Sequence, residues 1–411
     1  MEQYEKEMKY IQNHLDFVRY CIDEQQCIPS IKDWDALFLF MQQQALLGVG
    51  FRGLERMKQA GVDVPRNVML RWYAISEQIK RRNVEMNKRC VELTKMLKKD
   101  GFESCILKGQ GNARLYQLGV GSEQNEESVA LLRQSGDIDV WVRPVEGIGF
   151  RVKGEGLSID ERRKVLTQYV RKRFPNTEIR YQHIEFPVFK DVEVEMHFIP
   201  TAKNNPVYNH RIQRWAEERM AEQCRHFVVL PNADKTNGID GKVCVPTIEF
   251  NVIYQLSHLM HHFFDEGVGL RQMMDYYYLL RKAKDDAKCK MENVEETLLY
   301  LGLYKFAGAV MWVLHEVLGL EEVYMIAPMD EWRGKLLLDE ILKGGNFGHY
   351  SGLTNHSTGA KYFLKIKRNM RFVHAYPSEA LCEPWFRTWH FFWRTSQSEK
   401  RYKSSSQYQK Q

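Results

Sequence analysis

The chain lacks a CxxC pair and an apolar run long enough to cross a bilayer, and its N-terminal sequence predicts no secretory leader. Its eight cysteines are scattered, which excludes a zinc ribbon and a disulfide framework. The charged N-terminal sequence predicts a protein of the reducing cytoplasm. The longest apolar stretch, residues 306–320, is interrupted by His315 and Glu316. We therefore predict a buried helix there and no membrane partner.

The sequence also carries little net charge for its length. Its 411 residues have a formal charge of +6, with 44% hydrophobic and 27% charged residues. This mild basic excess permits a polyanionic partner such as nucleic acid but does not require one. The length predicts two or three domains, and the apolar content is sufficient for a sizeable core.

Helical periodicity occupies both ends of the chain. Residues Trp34–Met57 and Val68–Lys99 predict helices, and Gly101 is placed to end the second one. Only residues 101–200 contain runs in which apolar and polar residues alternate as they do in strands. This pattern, beside the helical regions, predicts an α+β protein. The predicted regions are an N-terminal helical region (1–100), a mixed core (101–200), a C-terminal helical domain (201–397) and a disordered tail rich in Ser, Gln and Lys (398–411).

Two acidic residues share one side of a predicted strand. In the run Gly136-Asp137-Ile138-Asp139-Val140, side chains alternate, so Asp137 and Asp139 point the same way. Two carboxylates held this close repel each other unless a cation lies between them. Magnesium takes oxygen ligands and keeps phosphates as co-ligands, so the pair suits a magnesium–triphosphate site. A single Asp-x-Asp is common, so this interpretation depends on its surroundings.

A second predicted strand, at residues 192–199, has another acidic face. Glu193 and Glu195 alternate with apolar residues, and a hairpin turn at residues 190–191 would join this strand to one at 178–189. A sheet with one solvated face would explain these positions without any metal. Beside the acidic pair, the pattern favours a third metal ligand. We prefer Glu195 for that position, and Glu193 is the competing candidate.

A glycine turn upstream suits the phosphates of a nucleotide. The run Ile106-Leu107-Lys108-Gly109-Gln110-Gly111 predicts a strand, a tight turn and a helix start. Backbone N–H groups and the helix dipole favour an anion there, and Lys108 adds a positive charge. The GxxxxGK[ST] pattern of a P-loop is absent, and a plain strand-to-helix turn is the alternative.

These motifs resemble the polymerase-β-like nucleotidyltransferase superfamily and, more narrowly, an uncharacterised bacterial nucleotidyltransferase family. The matching runs are Leu107-Lys108-Gly109, Gly136-Asp137-Ile138-Asp139-Val140 and Glu195-Met196-His197-Phe198. The resemblance implies a nucleotidyltransferase α/β core with a small mixed sheet, flanked by the two helical regions. The usual Gly-Ser turn of the superfamily is replaced here, and the acidic pair lies farther downstream. The polar segment 119–127 is predicted to be a loop that absorbs the extra length.

The same resemblance implies the transfer of a nucleoside monophosphate from an NTP such as ATP to an acceptor hydroxyl, with release of pyrophosphate. Asp137, Asp139 and Glu195 would hold Mg²⁺ or Mn²⁺ and act in catalysis. The residues that would bind the nucleotide are Lys108, Gly109, Gln110, Gly111, Arg133, Ser135 and Gly136. The acceptor stays open between a small molecule, a protein side chain and an RNA end.

Two other functions compete with this one. The chain could be a catalytically silent nucleotide-binding or regulatory module, or a helical RNA-binding protein that uses the basic face of residues 80–99. His258 and His262 have the spacing of zinc ligands, but HExxH is absent and histidines that line a cleft are the more ordinary interpretation. Arg271 and Asp275 are predicted to pair within one helix.

Overall fold

The computed structural model describes residues 2–23, 25–116, 129–145, 157–231, 241–287, 289–346 and 358–408. The first helices are α1 (Glu2–Ile22), α2 (Trp34–Gln43), α3 (Leu47–Gln59) and α4 (Arg66–Lys99). The mixed region contains β1 (Phe102–Ile106), α5 (Gln110–Ala113), β2 (Ile138–Pro144), α6 (Ile159–Arg173), β3 (His183–Glu185) and β4 (Val194–His197). The remaining elements are α7 (Pro206–Glu217), α8 (Met220–Gln223), β5 (Phe227–Val229), β6 (Lys242–Cys244), α9 (Ile248–Asp265), α10 (Leu270–Asp285), α11 (Val294–Tyr300), α12 (Tyr304–Leu318), α13 (Glu331–Gly344), α14 (Thr358–Met370) and α15 (Pro377–Tyr408). Among the helices of these ranges, none is long and apolar enough to cross a membrane.

The main sheet has four strands in the order β1-β2-β4-β3. β1 is antiparallel to β2, β2 is parallel to β4, and β3 is antiparallel to β4. This register places Asp139 opposite Glu195 and Trp141 opposite His197. Because residues directly opposite each other share a face, the two acidic strands present their carboxylates side by side. The predicted α+β class, with a small mixed sheet between helical regions, is confirmed.

One face of this sheet is apolar and the other carries the polar residues. Ile138 and Val140 of β2 lie in a core shared with Met86 of α4 and Leu166 of α6. Burial of such side chains stabilises the fold by about 1.5–3 kcal/mol each. On the opposite face, Trp141 stacks on an aromatic ring of α9, with centroids 5.8 Å apart. The polar face therefore lies in a cleft beside α9.

The predicted hairpin forms, but its strands are shorter than expected. Glu185 of β3 lies opposite Glu195 of β4, and residues 186–193 make the connection. The prediction of a two-residue turn at residues 190–191 was therefore wrong. Pro187 lies two residues after the end of β3, and a proline cannot donate a ladder hydrogen bond, so the pairing does not continue past Phe186.

The helix predicted over Trp34–Met57 is broken at Ala45, whose φ is 56°. Gln44 anchors this break, since its side chain bonds to the backbone of Leu270 and Ile341. The glycines of the segment lie inside α3 instead of interrupting it. A Cβ on Gly50 would lie 2.4 Å from the Trp72 ring, so glycine here permits close helix packing.

The region after residue 200 is mainly helical, as predicted, but it also contains two short strands. β5 and β6 pair as an antiparallel ribbon, with Val228 opposite Val243. Val243 and Val245 join the apolar core of the main sheet. Strands of three residues are too short for period-two alternation to show in a sequence, so the sequence did not predict this ribbon.

The last helix extends into the segment predicted as a disordered tail. α15 ends at Tyr408, and residues 409–411 lie outside the described residues. Extension of an existing helix needs no new nucleus, and Gln and Lys are good helix formers. The polar composition alone therefore did not mark the end of the helix. The predicted loop at 119–127 also lies outside the described residues.

Candidate metal and nucleotide site

Three carboxylates converge where β2 and β4 run side by side. Asp137, Asp139 and Glu195 each offer one oxygen ligand, and these atoms all lie within 4.8 Å of one another. Asp137 immediately precedes β2, and Asp139 lies within it, opposite Glu195. The alternation of the two strands thus produces the cluster that the sequence predicted.

Asp139 is the most deeply buried member of the cluster, with an exposure of 1%. His197 Nε2 donates to Asp139 Oδ1 at 2.9 Å, and Lys108 Nζ lies 3.2 Å from Oδ2. Burial raises the pKa of Asp139, but Lys108 and His197 outweigh it and hold the pKa below its ordinary value. The acidic face is therefore not an ordinary solvated face, and Asp139 stays in the ionised form that binds metals.

Two histidines complete the polar face. His197 Nε2 also lies 3.4 Å from Glu195 Oε2. Burial lowers the pKa of His197, but hydrogen bonds to Asp139 and Glu195 raise it to about 9. His183 Nδ1 lies 3.2 Å from Glu195 Oε2, and burial together with His197 lowers the pKa of His183 to about 2. His183, Glu195 and His197 form a second group that could hold a metal ion.

The donor atoms of the first group fit a hard divalent cation. Carboxylate oxygens are the ligands that Mg²⁺ and Mn²⁺ prefer, whereas imidazole nitrogen suits zinc and similar metals. His197 holds Asp139 in place by its hydrogen bond, as second-layer histidines and carboxylates do around metals. Asp137, Asp139 and Glu195 are therefore the residues that would hold magnesium or manganese.

The predicted glycine turn forms but does not itself face the cleft. Gly109 has a φ of 61°, and α5 begins directly after it. Gln110 is buried and its amide donates to Asn87 of α4. A Cβ on Gly111 would lie 3.1 Å from a carbonyl oxygen of β1. Among the described residues of this turn, Lys108 lines the cleft, and Gly109, Gln110 and Gly111 do not.

Arg133 is also turned away from the cleft. Its Nε and Nη2 each donate to one oxygen of Asp275 at 2.7 Å, and the Tyr116 hydroxyl donates to the same carboxylate at 2.8 Å. Asp275 was predicted to pair with Arg271, and its charge does raise the pKa of Arg271, but both of its oxygens accept hydrogen bonds from Arg133. Arg271 Nη1 donates to the carbonyl of Gln134 at 2.7 Å. Both arginines thus fix the segment that leads into the acidic pair.

The cleft has a volume of about 760 Å³ and draws residues from the sheet, α9, α10, α14 and α15. The predicted site residues that line it are Lys108, Ser135, Gly136, Asp137, Asp139 and Glu195. The sequence interpretation missed several others: Gln134, Arg180, Tyr181, Gln182, His183, Asp265, Glu266, Lys365 and Arg387. His183 could have been found from the sequence, because polar and apolar residues alternate from His183 to Glu185 as they do in a strand. No local sequence pattern indicated that the other missed residues line the cleft.

The histidines of α9 line this cleft. The Nε2 atoms of His258 and His262 lie 2.9 Å apart, and His261 lies beside them. Neither His258 nor His262 belongs to a group of three potential metal ligands among the described residues. Burial lowers the pKa of His258 far below its ordinary value and that of His261 to about 4. The position of these residues agrees with the cleft-lining interpretation and gives no support to zinc.

Acidic neighbours partly neutralise the basic face of α4. Lys80 pairs with Glu77 at 2.7 Å, and Arg89 pairs with Glu92 at 2.9 Å and with Asp191 at 3.2 Å. Such exposed pairs are typical of a solvated helix surface. This arrangement reduces the support for an RNA-binding helix.

A family model described as "Uncharacterised nucleotidyltransferase" matches residues 30–319. The chain belongs to this family. Membership confirms the resemblance seen in the motifs and establishes nucleotidyl transfer as the general type of reaction. No curated protein and no solved structure matches this nucleotidyltransferase. The matched range contains the whole acidic cluster, but it ends before α13, α14 and α15.

Proposed function

We propose that this nucleotidyltransferase moves a nucleoside monophosphate from an NTP such as ATP to an acceptor hydroxyl, with Mg²⁺ or Mn²⁺ held by Asp137, Asp139 and Glu195. The observation that carries the proposal is the convergence of these carboxylates around a buried, ionised Asp139. A divalent ion bound there supplies charge neutralisation for the phosphates and lowers the pKa of the acceptor hydroxyl.

Cationic side chains of the cleft would hold the triphosphate. Burial lowers the pKa of Lys108, but the charges of Asp139 and Asp137 outweigh this effect and raise the pKa above its ordinary value. The ammonium therefore stays charged. Burial, followed by the charge of Arg133, lowers the pKa of Arg271 to about 10, which still leaves it charged at neutral pH. Both side chains line the cleft, and their positive charge would oppose the negative charge that develops during transfer.

Glu195 would accept the proton of the acceptor hydroxyl. Its side chain is 26% exposed, so it can be reached from the cleft, unlike Asp139. As the acceptor oxygen bonds to the α-phosphorus, the bond to the β-phosphate oxygen breaks and pyrophosphate leaves with the electron pair. Glu193 lines the same cleft but belongs to neither ligand group found among the described residues. We therefore assign the third carboxylate to Glu195.

The substitution Asp139→Asn tests the proposal, because it keeps the shape of the side chain and removes its charge. We expect binding of Mg·ATP, measured by isothermal titration, to weaken by about tenfold or more. Transfer of label from α-³²P-ATP into acceptors of a cell extract should fall by about 100-fold or more. Asp191→Asn, an exposed acid before β4, is the matched control. Unchanged Mg·ATP binding in Asp139→Asn would rule out the metal site.

The same two measurements separate the competing functions. A silent nucleotide-binding module would bind Mg·ATP in a manner that depends on Asp139 but would transfer no label. A helical RNA-binding protein would show neither property. Glu195→Gln and Glu193→Gln distinguish the two candidates for the third carboxylate, since we expect only the former to abolish transfer.

A further inference from the structure

A second cavity, of about 940 Å³, opens beside the metal cleft. It is lined by residues of α6, α7 and α15 and by the segments around Tyr181 and Asn204. Tyr181, Asn204 and Phe386 line both this cavity and the metal cleft. The two spaces therefore adjoin, and a ligand in the second cavity can extend towards the acidic cluster.

Aromatic rings form one wall of the second cavity. Trp385, Trp389 and Trp393 follow one another at helical spacing on α15, and all three line it. Trp385 is 80% exposed and Trp389 is 46% exposed, so these rings are not used for core packing. The Tyr181 ring meets Trp389 and Trp393 edge-on, with centroids 5.4 and 6.3 Å apart, and holds the wall in place. Such exposed rings suit a ligand with an apolar face.

A residue with a buried amide oxygen, Gln213, also lines this cavity. Gln213 is 7% exposed, and its Nε2 donates to the carbonyl of Thr201 at 2.7 Å. Its Oε1 accepts no hydrogen bond from the described part of the chain. A buried acceptor without a donor is costly, so this oxygen is suited to a hydroxyl group of a ligand.

The charges around the cavity are already balanced. Lys203 lies 3.8 Å from Glu379, and Arg163 lies 2.5 Å from Asp160. Binding of a polyanion depends on cations that are available to its phosphates. Since both of these cations have a carboxylate partner, the wall favours a neutral ligand over a nucleic acid.

We propose that the second cavity binds a neutral saccharide and that this saccharide is the acceptor of the nucleotide. A sugar ring offers an apolar C–H face to Trp389 and hydroxyl donors to Gln213. It also carries the hydroxyl that the transfer reaction requires. The identification of the saccharide as acceptor rests on the function proposed for the metal cleft, whereas its binding to the cavity does not.

The binding test uses an array of neutral mono- to tetrasaccharides and the full-length protein. We expect the unmodified chain to bind at least one glycan, and Trp389→Ala to bind it about tenfold more weakly. Trp385→Ala provides a second, largely exposed position at which the same loss is expected. The matched control is Phe391→Ala on the same helix, since Phe391 is 54% exposed and does not line the cavity. Phe391→Ala should bind as the unmodified chain does.

Two results would overturn the saccharide site. One is the absence of binding to any neutral glycan. The other is binding that both tryptophan variants retain. Binding of a single-stranded oligouridylate that depends on Trp389, without glycan binding, also counts against it.

Titration of each variant with Mg·ATP reports on the metal cleft separately. Glycan binding without Mg·ATP binding would support the saccharide site and contradict the proposed transfer reaction. When both ligands bind, label from α-³²P-ATP should appear on the bound glycan, and both Asp139→Asn and Trp389→Ala should reduce it. An unlabelled glycan under those conditions would overturn its role as acceptor.

Discussion

At the scale of single residues, the ionisation of Asp139 depends on side chains from two other segments. Lys108 follows β1 and His197 ends β4, and each contacts a different oxygen of the carboxylate. Together they outweigh the effect of burial on the pKa of Asp139. A carboxylate that is both buried and ionised is preorganised to bind a metal ion, because it need not lose a proton when the ion binds.

The buried pair between Arg133 and Asp275 provides a prediction on stability. Asp275→Ala should lower the free energy of unfolding by about 3–5 kcal/mol, because it leaves the Arg133 charge buried without its carboxylate. Urea denaturation measures this loss. Asp35→Ala is the matched control, since Asp35 is 86% exposed in its pair with Arg71. We expect that variant to lose about 0–1 kcal/mol. Similar losses in both variants would show that the buried pair has no special role.

Site residues that are placed by the alternation of side chains along a strand could be predicted from the sequence. Contacts between residues that are far apart in the sequence could not. Asp137, Asp139 and Glu195 were identified because strands place alternate side chains on one face. Asp275 was assigned to Arg271, four residues earlier, because helical spacing is visible in a sequence. Its actual partner, Arg133, is 142 residues away, and only the packing of α10 against the segment before β2 brings the two together.

At the scale of elements, α3 packs directly on the segment that leads into the acidic pair. A Cβ on Gly48 would lie 2.2 Å from the carbonyl oxygen of Leu132, which is backbone and cannot rotate away. Gly48→Ala should therefore destabilise the fold by about 1–3 kcal/mol in urea denaturation. It should also weaken Mg·ATP binding, because Leu132 lies close to Asp137 in the chain.

The control for Gly48→Ala is Gly344→Ala at the end of α13. A Cβ there meets nothing within 4 Å. Alanine has a higher helix propensity than glycine, so stability should stay the same or increase by up to about 1 kcal/mol. If Gly48→Ala behaves like Gly344→Ala, the close contact with Leu132 does not limit the position of this segment.

Asp265 ties the end of α9 to α14 and α15. Its carboxylate lies 2.9 Å from Lys365 Nζ and 3.0 Å from Arg387 Nη2. Burial raises the pKa of Asp265, but these two cations outweigh it and lower the pKa below its ordinary value. A lowered pKa means that the stabilisation is fully present above the unfolded-state pKa of about 3.9 and is lost as the pH falls below it.

Asp265→Asn tests this pH dependence. The unmodified chain should be more stable than the variant at pH 6, and the difference should shrink as the pH falls through 4 towards 3. Urea denaturation at several pH values measures it. A difference that stays constant with pH would contradict a contribution from ionised Asp265.

The long elements were predictable and the short ones were not. α4, α9 and α10 have enough turns for a helical pattern to be recognised. β5 and β6 have three residues each, so alternation could not identify them. The stripe of Trp385, Trp389 and Trp393 was visible in the sequence, but a helical stripe of this kind usually marks a core face. The exposure of Trp385 and Trp389 is a property of the folded molecule alone.

At the scale of the whole molecule, the acidic cluster lies wholly within the family match, whereas the proposed acceptor site combines matched residues with α15. The family match covers residues 30–319 and includes every carboxylate of the cluster. Lys365, Arg387 and the tryptophans of α15 lie beyond it. We infer that the matched range supplies the transfer reaction and that α15 adds the aromatic wall of the acceptor site to polar residues of that range.

Because the metal cleft joins segments that are far apart in sequence, a ligand bound there should stabilise the whole fold. It is lined by residues from Lys108 to His390. Mg·ATP at 100 times its dissociation constant should raise the free energy of unfolding by about 2.7 kcal/mol, since only the folded chain has the complete cleft. Thermal denaturation with and without Mg·ATP measures this as an increase in Tm.

The increase in Tm should disappear when EDTA removes the magnesium, and Asp139→Asn should not show it. Asp191→Asn should retain it, because Asp191 lies outside the cleft at the surface. An increase that survives both EDTA and Asp139→Asn would mean that ATP binds elsewhere on the molecule. Such a result would separate nucleotide binding from the acidic cluster even if the cluster holds a metal, because the two sites would then contribute to stability independently.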